Sequence, residues 1–422
     1  MKIWLGIAAL ALAPSIASAQ QPLSVFIAAG DEHAPSMAIA RAQAHAARRR
    51  IDIARGALLP TLTASADYFR NQQQVNVTRQ NPDGSTSTAT VLAQDEIDAS
   101  VLATLPIIDV DAWSTLEAAE DDAEGSALDA LATRDETRVA VTTAYFELAG
   151  ARAVRAQALQ RLQVTQEDYS AWTTRREAGR ATELEVARAD AEVGFAQDAV
   201  ATAELQIAIA ARALVALTGV TPEDRDTDLT PSTASDLTLA DALDGAAQAP
   251  AVRAARARGD AASHRQDASW ETLLPTLSAQ GRERYTNMPG FLPDTLWSVG
   301  LVVTWQLDFI RPYEVLAADD ARAIADAQTA QVTSDMQTEI TNAFHQVVAA
   351  RSHLAASDRA RGAATRAQED AMARADLGRS TQLDVLIARR DAFDAEISYV
   401  LAEADLASAR AVLDIRAQRD AR

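Results

Sequence analysis

Apolar and polar residues alternate one by one in a few short stretches of the chain, and recur every three to four positions over most of the rest. Leu62, Ala64, Ala66 and Tyr68 alternate with Thr63, Ser65 and Asp67, and Ile97, Ala99, Val101, Ala103 and Leu105 alternate with Asp98, Ser100 and Thr104. The plainest alternation sets Trp297, Val299, Leu301, Val303 and Trp305 against Ser298, Gly300, Thr304 and Gln306. A period of two predicts strands with one apolar and one polar face. An aromatic at each end of an apolar face of about ten residues is the pattern of a strand facing lipid. A lone strand of this kind is more often half-buried in a soluble sandwich, but four of them in a helical, secreted chain point to a membrane. The weakest is the outgoing strand after Leu277, where Gly281, Glu283 and Tyr285 share the apolar face.

The helical stretches are long. Pro35 to Gly56 is alanine- and arginine-rich, and Pro60, lacking a backbone donor, ends that helix. From Ala112 to Ala178 there is no proline, and Gly125 and Gly150 are the only glycines, which permits one helix of roughly 65 residues and about 100 Å. After Gly179-Arg180 a second helix begins at Thr182, with a seam of Val186, Ala189, Val193, Ala196, Val200, Ala203, Ile207, Ala210, Leu214 and Leu217. Spacings of three and four with large and small residues in turn predict closely approached coiled-coil partners. Phe195, Leu205 and Ile209 lie off this seam, as a helix with neighbours on two sides requires. The short helix before the strands and the one after the glycine break together match the length of the long helix, so two stacked short helices can run beside it.

The whole arrangement occurs twice. Leu58-Leu59-Pro60-Thr61-Leu62 returns as Leu273-Leu274-Pro275-Thr276-Leu277 at an offset of about 215 residues. Farther on, Gly179-Arg180, Thr182 and Leu184 return as Gly378-Arg379, Thr381 and Leu383 at about 199. The lost residues must fall in an exposed loop that is long in the first copy, and the polar segment Gln80 to Ser87 is the predicted site. The second seam runs through Val385, Ala388, Ala392, Ala395, Tyr399, Ala402, Leu406, Ala409 and Leu413. The expected organisation is a leader over 1–19 and a first repeat over 20–218, with a hairpin at about 59–106 and helices at about 112–178 and 182–217. A periplasmic connector follows over 219–238, then a second repeat over 239–422, with a hairpin at about 274–307 and helices at about 312–376 and 381–416.

Composition narrows the setting. Lys2, the apolar run Ile3 to Ala13, and Ala17-Ser18-Ala19 read as a secretory leader and its cleavage site. With no cysteine, a disulfide framework, a lipid-anchored amino terminus and thiol catalysis are not expected. After the leader no window holds eighteen uninterrupted apolar residues, so no helix of the mature chain is expected to span a bilayer. The net charge of −20 excludes a nucleic-acid partner and favours cationic or neutral ones.

Four strands leave two open edges, and unpaired backbone groups are costly in hydrocarbon, so the expected barrel is shared between chains. With the tandem repeat, the Leu-Leu-Pro before each hairpin, the long helices and the glycine turns at Gly179 and Gly378, the mature chain resembles the TolC-like outer-membrane efflux factors. That resemblance implies a mainly α fold with a small β part: a tandem-repeat α-helical barrel continued by a transmembrane β-barrel of four strands per chain, shared in a trimer. It implies an outer-membrane exit duct for efflux of small molecules, or for type I protein secretion. Its expected partners are two further copies of the chain, a periplasmic adaptor (membrane fusion) protein, an inner-membrane pump and outer-membrane lipid. It also places Asp384, with Glu185 as its first-copy counterpart, in an acidic ring at a periplasmic gate. Ile387 stands where some members carry a second acid, so the ring is expected to be single. The same acids stand three residues behind Thr182 and Thr381 and so read equally as helix-capping residues. Arg180 and Arg379 are placed at the gate turns as adaptor contacts or gate ion pairs, beside the plainer reading as solvated side chains. A soluble periplasmic coiled-coil adaptor or rod is the rival from another class.

Candidate chemistry is sparse. His33, His45, His264, His345 and His353 are scattered; only His345 and His353 could share a helix face, and neither of these is paired with an acid at metal-ligand spacing. No phosphate loop, nucleophile elbow or zinc helix occurs. No enzyme activity, cofactor or metal is therefore expected, and conduction would rest on geometry and the acidic field of a lumen.

Overall fold

A computed structural model describes residues 21–224, 237–307 and 309–418. The predicted leader and most of the predicted connector lie outside them. The chain begins with α1 (Leu23–His33) and α2 (Pro35–Ala57), followed by β1 (Thr61–Arg70), β2 (Val75–Gln80), β3 (Thr86–Leu92) and β4 (Asp95–Ile108). Then come α3 (Val110–Glu177), α4 (Glu183–Thr218), α5 (Leu239–Leu243), a 3-10 turn at Ala246–Gln248, and α6 (Pro250–Glu271). β5 (Thr276–Thr286), β6 (Thr295–Thr304), α7 (Arg311–Asp376) and α8 (Gln382–Arg416) complete the fold. The two long helices, α3 and α7, have 68 and 66 residues.

Contacts divide the chain into two units: the described residues of Met1–Ala40, Ala130–Ala249 and Ser334–Arg422, and Arg41–Asp129 with Pro250–Thr333. Each unit draws on both halves of the sequence.

The second unit holds the strands. β1, β4, β5 and β6 form one antiparallel sheet in the order β1-β4-β5-β6. Its register sets Ala64 opposite Val101, Val101 opposite Glu283 and Glu283 opposite Trp297. Directly paired residues share a face, so the apolar sides of all four strands fall together, including Leu62, Leu105, Leu301 and Val303. That face is bare: Trp297 is 74% and Val299 76% exposed. The other face is polar, and there Arg284 binds Asp98 through its Nε at 2.7 Å. Trp305, just past β6, donates from Nε1 to the Leu273 carbonyl at 3.0 Å, tying the return of the hairpin to its start. Beside the strands, α6 buries Val252, Ala254, Ala257 and Ala261, and Arg258 and Arg265 bind Asp129 and Asp122 of α3. At the start of α3, Ser114 donates to Glu271 at 2.5 Å. Burial and the neighbouring Asp109 carboxyl push the Asp111 carboxyl up to about 6.

The first unit has two separate cores. In one, Phe26 of α1 packs with Val141, Ala144, Tyr145 and Leu148 of α3 and Ala210 and Leu214 of α4. In the other, Ala242 and Ala246 pack with Ile340, Ala343 and Val347 of α7 and Leu406 and Leu413 of α8. Along α4 the small seam residues Ala189, Ala196, Ala203 and Ala210 are all buried, one every seventh position, as a coiled-coil seam requires.

Three features go beyond what the sequence pattern suggests. The predicted polar loop at 80–87 is the tip of a second two-stranded sheet, β2-β3. One face carries Asn76, Thr78, Thr88 and Thr90, with the Thr78 and Thr88 hydroxyls 3.1 Å apart, and the other pairs Val75 with Leu92 and Val77 with Ala89 before Arg79 and Ser87 break the apolar run, so each strand alternates over too few residues to stand out. α1 was also not anticipated, since an 11-residue apolar segment is too short to show a period. Finally, α4 is long and apolar enough to cross a bilayer by length and composition. It holds no uninterrupted apolar run of that length, because Thr202, Glu204, Gln206 and Arg212 break it, and its apolar residues Phe195, Leu205 and Ile209 are exposed.

Candidate functional site

The two glycine turns have nearly the same geometry. Gly179 and Gly378 take φ of 69° and 68°, a left-handed conformation in which a Cβ is strained. Around the first, Gly179 N donates to Arg176 O at 2.9 Å and Arg180 N to Arg175 O at 2.8 Å. Around the second, Gly378 N donates to Ala375 O at 2.9 Å and Arg379 N to Arg374 O at 2.8 Å. These bonds satisfy the last carbonyls of α3 and α7. The Arg180 and Arg379 side chains are exposed.

Immediately after each turn the next helix is capped. Thr182 Oγ1 accepts from Glu185 N at 3.3 Å, while the Glu185 carboxylate accepts from Thr182 N at 2.7 Å. Thr381 Oγ1 accepts from Asp384 N at 3.2 Å, and the Asp384 carboxylate accepts from Thr381 N at 2.9 Å and from the Ser380 hydroxyl at 3.2 Å. Hydrogen bonds to the charged form hold both carboxyls below their usual range. For Glu185 the Thr182 backbone amide is the largest cause, and for Asp384 the Thr381 hydroxyl. Both acids thus do cap their helices; Glu185 is half-buried and Asp384 exposed, and both remain charged at neutral pH.

The turns are brought together. Gln382, in the first turn of α8, donates from Nε2 to the Glu185 carbonyl in the first turn of α4 at 3.3 Å. The six residues singled out from the sequence, Gly179, Arg180, Glu185, Gly378, Arg379 and Asp384, therefore cluster at one end of four helices. Behind them, ion pairs join the helices. Arg389 of α8 binds Asp168 of α3, Arg161 of α3 binds Glu192 of α4 at 3.1 Å, and Arg176 reaches across the first turn to Glu183 at 3.1 Å. Burial lowers the Arg389 guanidinium from its ordinary value. Among the described residues no group of three or more histidine, aspartate or glutamate side chains is arranged to hold a metal ion.

The family model for outer membrane efflux proteins matches residues 31–220 and 244–414, which takes in both hairpins, α3, α4, α7, α8 up to residue 414, and both glycine turns. The chain belongs to the outer membrane efflux protein family. This efflux protein is thus an outer-membrane exit duct, with its sheet in the outer membrane and its helical part in the periplasm. Solved structures share its fold. It is similar to the outer-membrane channel OprN at 22% identity and a TM-score of 0.75, with 94% of this chain and 89% of that one covered. It is similar to the *Campylobacter jejuni* CmeC outer membrane channel at 16% and 0.78, over 94% and 86%. The open state of the *Neisseria gonorrhoeae* MtrE outer membrane channel gives 20% and 0.76, over 94% and 89%. No curated protein matches its sequence.

Proposed function

We propose that three copies of this chain close a twelve-stranded barrel and a helical tunnel, through which small molecules leave passively when an inner-membrane pump and a periplasmic adaptor engage it. The observation that carries this reading is the four-stranded sheet with its outer strands β1 and β6 each paired on one side only and its apolar face bare. Open edges are not tolerated in lipid, and a barrel closes only if further copies supply the missing neighbours. In this arrangement Glu185 and Asp384 ring the periplasmic mouth, Gly179 and Gly378 are the points about which α4 and α8 swing, and Arg180 and Arg379 meet the adaptor. These carboxylates, in a chain of net charge −20, would favour cations at that mouth.

The test is extraction and conduction. The protein should need detergent, run as a trimer by native mass spectrometry and conduct ions in planar bilayers. Asp384→Asn keeps an oxygen for the Thr381 cap and removes the charge, so it should lower cation preference without loss of assembly. A water-soluble monomer would end this reading. An unchanged reversal potential in Asp384→Asn combined with Glu185→Gln would remove the acidic ring alone.

A further inference from the structure

We infer that Arg282 forms a cationic step on the polar side of the four-stranded sheet, where anionic groups of passing solutes are held and cations are opposed. This role rests on the shared barrel proposed above, in which the apolar face meets lipid and the polar face the lumen, and it names a charge within that lumen that sorts what passes.

The register divides the polar face into tiers. Arg282 stands opposite Leu102 on β4 and Ser298 on β6, and Leu102 stands opposite Thr63 on β1. In the next tier toward the helices Gln280 lies between Thr104 and Gly300, and the pairs beyond it on this face, Ser278 with Pro106 and with Val302, are neutral as well. Toward the hairpin tips the next tier carries Arg284, but that guanidinium is engaged: its Nε donates to the two Asp98 carboxylate oxygens at 3.0 and 2.7 Å. The acids of this face, Asp67, Asp98 and Glu96, all lie at the tip end. They outnumber the arginines on the face as a whole, so Arg282 is a local positive step, set between a neutral stretch and an acidic end. Its side chain is exposed, and among the described residues its guanidinium has no hydrogen-bond or ion-pair partner. A charge left free in a water-filled passage with low-dielectric walls acts on passing ions more strongly than one on an open surface, and an unpartnered guanidinium can offer a carboxylate or phosphate two parallel bonds.

The test is single-channel recording of the full-length protein in planar bilayers, with the trimer yield of each variant checked by native mass spectrometry. In a potassium chloride gradient Arg282→Gln should raise the cation-to-anion permeability ratio by at least about twofold, whereas Arg282→Lys, which keeps the charge, should hold the unmodified value. Hexacyanoferrate, a compact trivalent anion, is the second probe, and its block of the current should weaken by about tenfold or more in Arg282→Gln. Ser298→Asp sets an acid opposite an intact Arg282 and should reproduce both changes. A ratio and a block unchanged in Arg282→Gln and Ser298→Asp, or an Arg282→Lys that behaves as Arg282→Gln does, would overturn the step and leave the duct standing. An unmodified trimer that passes no current would overturn the duct and the step with it.

Discussion

Thr182 and Thr381 set the helix starts on which both acidic positions depend. Thr381→Ala removes the acceptor for Asp384 N, so amide exchange in the first turn of α8 should quicken by about fivefold, read by mass spectrometry on peptides spanning the turn. The pH response has a definite sign. Glu185 and Asp384 have lowered values, so their caps contribute above the ordinary carboxylate range and fade as the pH falls through their folded values. Asp111 behaves oppositely. Its folded value of about 6 lies above the ordinary aspartate value, so its contribution is complete in acid and is lost as the pH rises through about 6. Asp111→Asn should therefore raise the melting temperature at pH 7.5 and leave it little changed at pH 4.5, as scanning calorimetry would register. At this scale the caps were legible, because a threonine followed three residues later by an acid is a local signal. The Arg389–Asp168 pair was not, since its partners lie 221 positions apart on helices with no marker of contact between them.

Helices and strands differ in how openly they announce themselves. The seam of α4 was readable because alanine recurs at every seventh position. Ala196 is fully buried there, and Ala196→Leu should lower stability by about 1–3 kcal/mol through overpacking. Leu214, also fully buried in the α1–α3–α4 core, should cost about 2–5 kcal/mol as Leu214→Ala; thermal melts followed by circular dichroism compare the two. α1 and the β2-β3 ribbon escaped the pattern because both are short: in the ribbon only Val75, Val77 and Ala89 alternate with polar residues before Arg79 and Ser87 end the apolar face. β5 was the faintest of the four sheet strands, with Glu283 on its apolar face. Its place is fixed instead by neighbours on both sides, Val101 and Trp297.

For the molecule as a whole, the decisive facts are an apolar sheet face and two unfilled strand edges. Val299→Arg puts a charge on that face and should reduce insertion and trimer yield in proportion to its depth, by up to about 2–4 kcal/mol, as measured by heat-modified gel mobility of outer-membrane extracts. The need for partners could be inferred from the strand count alone. The separate β2-β3 sheet could not, and it matters for a different reason. It shares no ladder with the four sheet strands, and the main strand pairing resumes at Arg70 and Asp95, directly beneath it. Drift within the ribbon therefore leaves the sheet register untouched, and what it disturbs is the packing against the β5–β6 turn, where Arg79 lies 5.8 Å from the Phe291 ring and Ala93 N meets Met288 Sδ at 2.9 Å: the outline of that end can change while the ladders that hold it do not.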